Sequence, residues 1–182
     1  MIIALTGTPG TGKTSVAEVL KNKGFEIVDL NKVACDNNFI IGKDIKRDSN
    51  IVDLEKINKY ILENYSGKDF VFVEGHLSHL LKNVEKIVIL RCHPKFLKKN
   101  LSKKKWNEDK IKENIEAEIL DIILCEALEL HLKKDIFEIN VSDKTIEQIA
   151  DSIIEIINNN FKSMKKYIIG NVDWSEEILK DY

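Results

Sequence analysis

Short apolar runs recur along the chain and set its organisation. Ile2-Ile3-Ala4-Leu5, Phe70-Val71-Phe72-Val73 and Ile87-Val88-Ile89-Leu90 are continuous. Such runs are too short for helices of the usual length and read as strands buried on both faces. Phe25 to Asp29 and Ile136 to Ile139 read as two more strands, and the first strand extends to Thr6. Helical spacing fills the intervals. A helix is expected from about Gly12 to Asn22, stopped by Gly24, and another over Leu54 to Tyr65, ended by Ser66-Gly67. The latter carries Leu54, Ile57, Ile61 and Leu62 on one side. Pro94 to Lys105 reads as a helix, and Trp106-Asn107-Glu108 breaks the pattern. A long helix follows over about Asp109 to Lys133, with Ile111, Ile115, Ile119, Ile122 and Leu124 at helical intervals. Ser142-Asp143-Lys144 is expected to cap a last helix reaching Asn158. Residues 30–53 read as polar and irregular, and the tail from Phe161 to Tyr182 as less regular.

Strands alternating with helices predict an α/β fold: a parallel sheet covered on both faces, a three-layer sandwich with right-handed crossovers. A chain of 182 residues fits one domain with a proper core. In such sheets the working residues lie beyond the carboxyl ends of the strands.

Immediately after the first strand stands Gly7-Thr8-Pro9-Gly10-Thr11-Gly12-Lys13-Thr14. This is a complete phosphate-binding loop, G-x-x-x-x-G-K followed by a hydroxyl residue, between a strand and a helix as the motif requires. The glycines allow successive N–H groups to point inward at phosphate oxygens, and the helix N-terminus adds its own donors. Lys13 brings a mobile charge for the β- and γ-phosphates, and the Thr14 hydroxyl is placed to ligate Mg²⁺. The ligand expected is the polyphosphate of a nucleotide.

Charge narrows the partners less. Asp and Glu total 30 against 28 Lys and Arg, a formal net charge of −2, so global charge does not predict nucleic-acid binding. Only Arg47 and Arg91 are arginines. Either these two have specific duties as planar clamps, or arginine is simply scarce and they remain by chance. The apolar runs are too short to span a bilayer, no leader pattern precedes the first strand, and a cytoplasmic location is expected. Cys35, Cys92 and Cys125 are far apart and read as buried or partly buried reduced thiols.

Two further places carry candidate chemistry. Glu74 ends a buried strand, where a carboxylate can hold Mg²⁺ or its water, or be a plain surface acid. His76 follows in the same turn; it can touch the γ-phosphate, orient a water, or serve as a polar turn residue. The His76-x-x-His79 spacing suits a metal, but no further ligand accompanies it, so zinc is not expected. Lysines crowd residues 95–112. They are either a solvated helix face or a lid closing on triphosphate, with Lys103, Lys104 and Lys105 at the helix break as its candidates. Trp106 there reads as a core contact rather than a hinge anchor.

These residues together resemble the P-loop kinases of the adenylate kinase isoenzyme six type, found in archaea and eukaryotic nuclei. The likeness covers most of the chain. It rests on the loop Gly7 to Ser15, the segment 29–53, Glu74-Gly75-His76, Ile89-Leu90-Arg91, Trp106-Asn107-Glu108, the stretch Asn114 to Leu120, and Asp173-Trp174-Ser175-Glu176. The resemblance implies a P-loop NTPase fold with a monophosphate-binding segment at about 29–53 and a short lid at about 102–112. It implies a nucleoside monophosphate kinase that also hydrolyses ATP. It further implies binding to small-subunit ribosomal protein uS11 and to pre-small-subunit particles during late rRNA maturation. Gly10, Gly12, Lys13, Thr14, Ser15 and Lys104 would bind ATP, Thr14 and Glu74 would support Mg²⁺, and Lys13, Glu74 and His76 would form the catalytic group. Arg47 would contact AMP or another monophosphate. The family usually has arginines at positions 100 and 104. Here Asn100 and Lys104 lose the bidentate fork, which favours weak transfer and relatively prominent hydrolysis.

Three readings follow. The first is phosphoryl transfer from ATP to a monophosphate. The second is an ATPase assembly factor whose output is nucleotide-gated binding of uS11. The third is a small-metabolite kinase of the shikimate type, for which the expected arginine cluster is missing.

Overall fold

The continuous apolar runs become the inner strands of a parallel sheet. The computed structural model describes residues 1–45, 49–104 and 106–180. Its elements in chain order are β1 (Ile2–Gly7), α1 (Lys13–Asn22), β2 (Glu26–Asp29), α2 (Leu30–Asp36), β3 (Ile40–Asp44), β4 (Ser49–Val52), α3 (Leu54–Tyr65), β5 (Val71–Glu74), β6 (Lys86–Arg91), α4 (Pro94–Leu101), α5 (Glu108–Ile119), α6 (Ile122–Leu130), β7 (Ile136–Asn140) and α7 (Ile146–Asn158). The main sheet has the order β2-β5-β1-β6-β7, every pairing parallel. β3 and β4 form a separate antiparallel pair.

Period two along β1 builds two cores. Ile3 and Leu5 enter one cluster with Val16 and Leu20 of α1, Leu97 of α4, Ile115 of α5 and Ile153 of α7. Ile2 and Ala4 enter the opposite cluster with Val33 of α2, Ile57 and Ile61 of α3, and Leu124 and Ala127 of α6. The sheet is thus covered on both faces, the three-layer α/β arrangement that its uninterrupted apolar strands require. No helix among the described residues is long and apolar enough to cross a membrane.

Several elements differ from the sequence expectation. Segment 30–53 is not irregular. Asp29 caps α2 by accepting from Lys32 N at 3.0 Å, and Leu30, Val33 and Ala34 face the core at helical spacing. The expected helix 109–133 is two helices. Asp121 takes a left-handed conformation (φ 55°), which Asp tolerates better than most residues, and its carboxylate pairs with Arg91. The helix from Pro94 stops at Leu101, four residues early. The cap of α7 is Thr145 in a reciprocal capping box with Gln148. Ser142 instead accepts from His93 N at 2.8 Å. Cys35 and Cys125 are exposed; only Cys92 is buried.

The tail docks on the core. Tyr167 and Val172 are buried. The Tyr167 carbonyl accepts from Glu138 N at 3.0 Å on the edge strand β7, so the tail covers part of an edge that would otherwise be open.

Candidate active site

The phosphate loop joins the end of the central strand β1 to α1. Gly7 has φ 142°, and a Cβ there would collide with the Leu90 carbonyl oxygen of the neighbouring strand. Gly12 is the residue before α1 and is left-handed at φ 90°. No side chain caps α1, and its first turn contains no acidic residue. The helix N–H donors are therefore not taken up by a capping side chain or by an acid of the first turn.

Lys13 is buried inside its own loop. Its ammonium donates to the carbonyls of Gly7 at 2.7 Å and Thr8 at 3.1 Å. Burial pulls its pKa down to about 8, with Glu74 and Glu118 pulling it back up and Lys104 pushing it further down. A poorly hydrated cation held by two carbonyls is primed to exchange them for phosphate oxygens.

Glu74 ends β5, in register with Leu5 of β1 and Asp29 of β2. Its carboxylate is buried and accepts from the Thr14 hydroxyl at 3.3 Å. Burial raises its pKa, with Lys13 acting the other way. This hydroxyl and carboxylate are hard oxygen donors and suit Mg²⁺. The described residues hold no group of three His, Cys, Asp or Glu able to cage a metal by themselves. That also fits Mg²⁺, which usually takes one or two protein oxygens and completes its shell with waters and phosphates.

The loop opens into a cleft of about 770 Å³. Gly10, Gly12, Lys13, Thr14, Ser15, Glu74, His76 and Lys104 all line it. Burial, with Lys13 next in weight, lowers the His76 pKa to about 4, so its imidazole is neutral at pH 7. Trp106 lines the cleft and packs on the core. The Lys104 and Lys110 ammonium groups sit 5.0 and 4.5 Å from its ring centroid, a cation–π arrangement. Asn31 and Ser49 reach the cleft from segment 29–53. Arg47 and Lys105 lie outside the described residues.

Arg91 faces away from phosphate chemistry. Its guanidinium is buried and bound by Glu118, Glu138 and Asp121. Asn100 donates its amide to the Gly10 carbonyl at 3.0 Å, so it braces the loop. Both ring nitrogens of His79 are engaged within the fold. Its ring bridges Thr6 Oγ1 at 3.1 Å and Glu126 Oε2 at 2.9 Å. Sequence reasoning missed Glu118 and Glu126 as neighbours of the site. Glu118 has one signal: an acid among apolar positions on the inward side of a helix, three residues after Ile115.

Comparison with known proteins agrees with this geometry. The family model described as "AAA domain" matches residues 3–121. A protein of Methanocaldococcus jannaschii named "Putative adenylate kinase" is 39% identical over 183 residues, covering 100% of this chain and 97% of that one. Relatives of the same name from Archaeoglobus fulgidus and Thermococcus gammatolerans are 39% and 40% identical, each across at least 97% of this chain and 94% of their own. Among solved structures, shikimate kinase from Bacteroides thetaiotaomicron superposes with TM-score 0.60 at 17% identity, covering 87% of this chain and 98% of that one. Thymidylate kinase from Candida albicans gives 0.52 at 13%, covering 92% and 97%. These two show the fold, a P-loop kinase sandwich. The matched loop, the sheet behind it and the identity along the whole chain place this protein in the AAA-domain family of P-loop proteins, in the same family as these archaeal adenylate kinase relatives.

Proposed function

We propose that the protein is a nucleoside monophosphate kinase that moves the γ-phosphoryl group of ATP to AMP, giving two ADP, and that also hydrolyses ATP. One observation carries this reading: a single cleft runs from Lys13, Thr14 and Glu74 at the phosphate loop to Asn31 and Ser49 of the acceptor segment. The adenylate kinase name of the relatives supports AMP as the acceptor. The chain's work is positioning and charge. Loop N–H groups and the α1 N-terminus bind the phosphates, and Lys13 leaves its carbonyl partners to follow the transferred group. Lys104, near the cleft mouth, closes over the phosphates and helps exclude water. Thr14 and Glu74 would hold Mg²⁺, which when bound supplies positive charge to the phosphate oxygens.

Hydrolysis has its own support. Asn100 spends its amide on Gly10 rather than on phosphate, and the neutral His76 can accept a hydrogen bond from a water in the cleft. The family resemblance extends the proposal to 16S rRNA maturation in the cytoplasm, with uS11 and pre-small-subunit particles as partners of the ATPase cycle.

Mg-ATP is incubated with and without AMP while ADP and free phosphate are quantified together. The expected result is an AMP-dependent increment of ADP, two per ATP consumed by transfer, without a matching increment of phosphate. Lys13→Ala should lower this turnover by at least about a thousandfold; near-normal turnover in that variant would sink the assignment. Phosphate release indifferent to AMP, and accelerated by purified uS11, would replace transfer by the assembly-ATPase reading.

A further inference from the structure

Outside the catalytic set, the Glu118 carboxylate on α5 is bonded from several sides. Glu118 is only 3% exposed, and its carboxylate takes donors from four residues in three parts of the chain. Oε2 accepts from Thr8 Oγ1 of the phosphate loop at 2.5 Å. Oε1 accepts from Arg91 Nε at 2.8 Å, Cys92 N at 3.1 Å and Trp174 Nε1 at 3.2 Å. Trp174 belongs to the tail, and its ring packs edge-on against His93 at 5.0 Å. The tail is tied to the same cluster a second time. Gly170 N donates to Glu138 Oε2 at 2.7 Å, and Glu138 pairs with Arg91. One buried ionic cluster therefore joins the tail to the phosphate loop.

Thr8 is held at both ends. Its hydroxyl is on Glu118, while its carbonyl accepts from Lys13 Nζ at 3.1 Å, Thr11 N at 3.2 Å and Thr11 Oγ1 at 2.9 Å. A phosphate that draws Lys13 off this carbonyl leaves Thr8 in the grip of Thr11 and Glu118. The direction in which the Glu118 carboxylate points then helps set the loop, and Trp174 supplies one of the donors that fix it. A carboxylate with all its donors in place is rigid, and losing one of them loosens it.

We propose that Trp174 is a positioning residue for nucleotide binding, acting through Glu118 and Thr8 on the phosphate loop, so that bound nucleotide and a docked tail stabilise one another. The proposal rests on the nucleotide-site reading above. Coupling of this kind is reciprocal, so it is visible from either end.

The full chain is labelled with fluorotryptophan and titrated with Mg-ADP. The protein has two tryptophans, and the Trp174 signal is the one that persists in Trp106→Phe. That signal should move at saturating ADP. Thr8→Val keeps the side-chain shape and removes the hydroxyl; ADP should still bind, and the Trp174 signal should no longer respond. In unlabelled protein, Trp174→Phe and Thr8→Val should each weaken ADP affinity about fivefold. The double variant should bind no worse than the weaker single, because both act through one carboxylate. A Trp174 signal unmoved by bound ADP, or single effects that multiply in the double variant, would overturn the coupling while leaving the nucleotide site intact. A wild-type chain that binds no ADP would overturn the nucleotide site, and the coupling with it.

Discussion

Lys13 shows how function opposes stability at one residue. An unburied lysine amine titrates near 10.5, and burial brings this one to about 8. Between those values the unfolded chain binds more protons than the folded one. The buried cation therefore costs stability in full below about pH 8, and the cost is relieved as pH rises towards 10.5. Its size is about 3 kcal/mol at most. Lys13→Met should accordingly raise the melting temperature at pH 7 while abolishing nucleotide binding, and the gain should fade in melts run towards pH 10. Glu74 invites the complementary test. Glu74→Gln keeps the shape and removes the charge beside Thr14, so Mg-dependent turnover should fall about a hundredfold. ADP binding measured without Mg²⁺ should change little; a large loss there would mean that Glu74 shapes the loop and has no metal duty. The P-loop residues were legible because a contiguous motif specifies backbone and side chains together. The duty of Arg91 was not, because its three carboxylate partners come from separate elements.

At the level of elements, the break between α5 and α6 aims the site. Residues 108–130 have apolar spacing compatible with one long helix, and only Asp121 at φ 55° interrupts it. The break lets Asp121 and Glu118 meet Arg91, while Glu113, Asn114 and Ala117 on the preceding turns line the cleft. Asp121→Ala loses the ion pair and places a less tolerant residue in the left-handed region. The expected cost is about 2 kcal/mol in urea unfolding. Asp121→Asn, which tolerates that conformation, should recover part of it; equal losses would show that the pairing alone matters. Helix α2 was hidden for a different reason. Seven residues give under two turns of periodicity, too few for a moment to stand out, and Asp29, Leu30, Val33 and Ala34 carry the whole signal.

Across the whole molecule, the buried Arg91 joins the sheet, helix α5 and the tail. Arg91 faces Glu118, Asp121 and Glu138, and burial raises the pKa of Glu138 against the pull of the guanidinium. Arg91→Leu would strand these carboxylates without their cation. Stability should drop by about 4 kcal/mol near neutral pH. The deficit should narrow as pH falls, because the stranded carboxylates bind protons more tightly than they do in the unfolded chain. A deficit that is independent of pH would mean that packing, not charge, is what Arg91 contributes.

The sequence by itself determined the alternation of buried strands and amphipathic helices, and with it a parallel sheet covered on both faces. It also determined the phosphate loop, since Gly7 to Thr14 carry their chemistry in consecutive residues, and it placed Glu74 at a strand end. Tertiary structure alone decided which strands are neighbours, and therefore that Glu74 reaches Thr14, 60 residues away. It decided that Arg91 is structural, that His79 is locked between Thr6 and Glu126, and that the tail docks through Trp174. The physical reason is range. Periodicity and motifs report interactions within a few residues along the chain, whereas a buried charge takes its role from groups that only packing brings within hydrogen-bond distance.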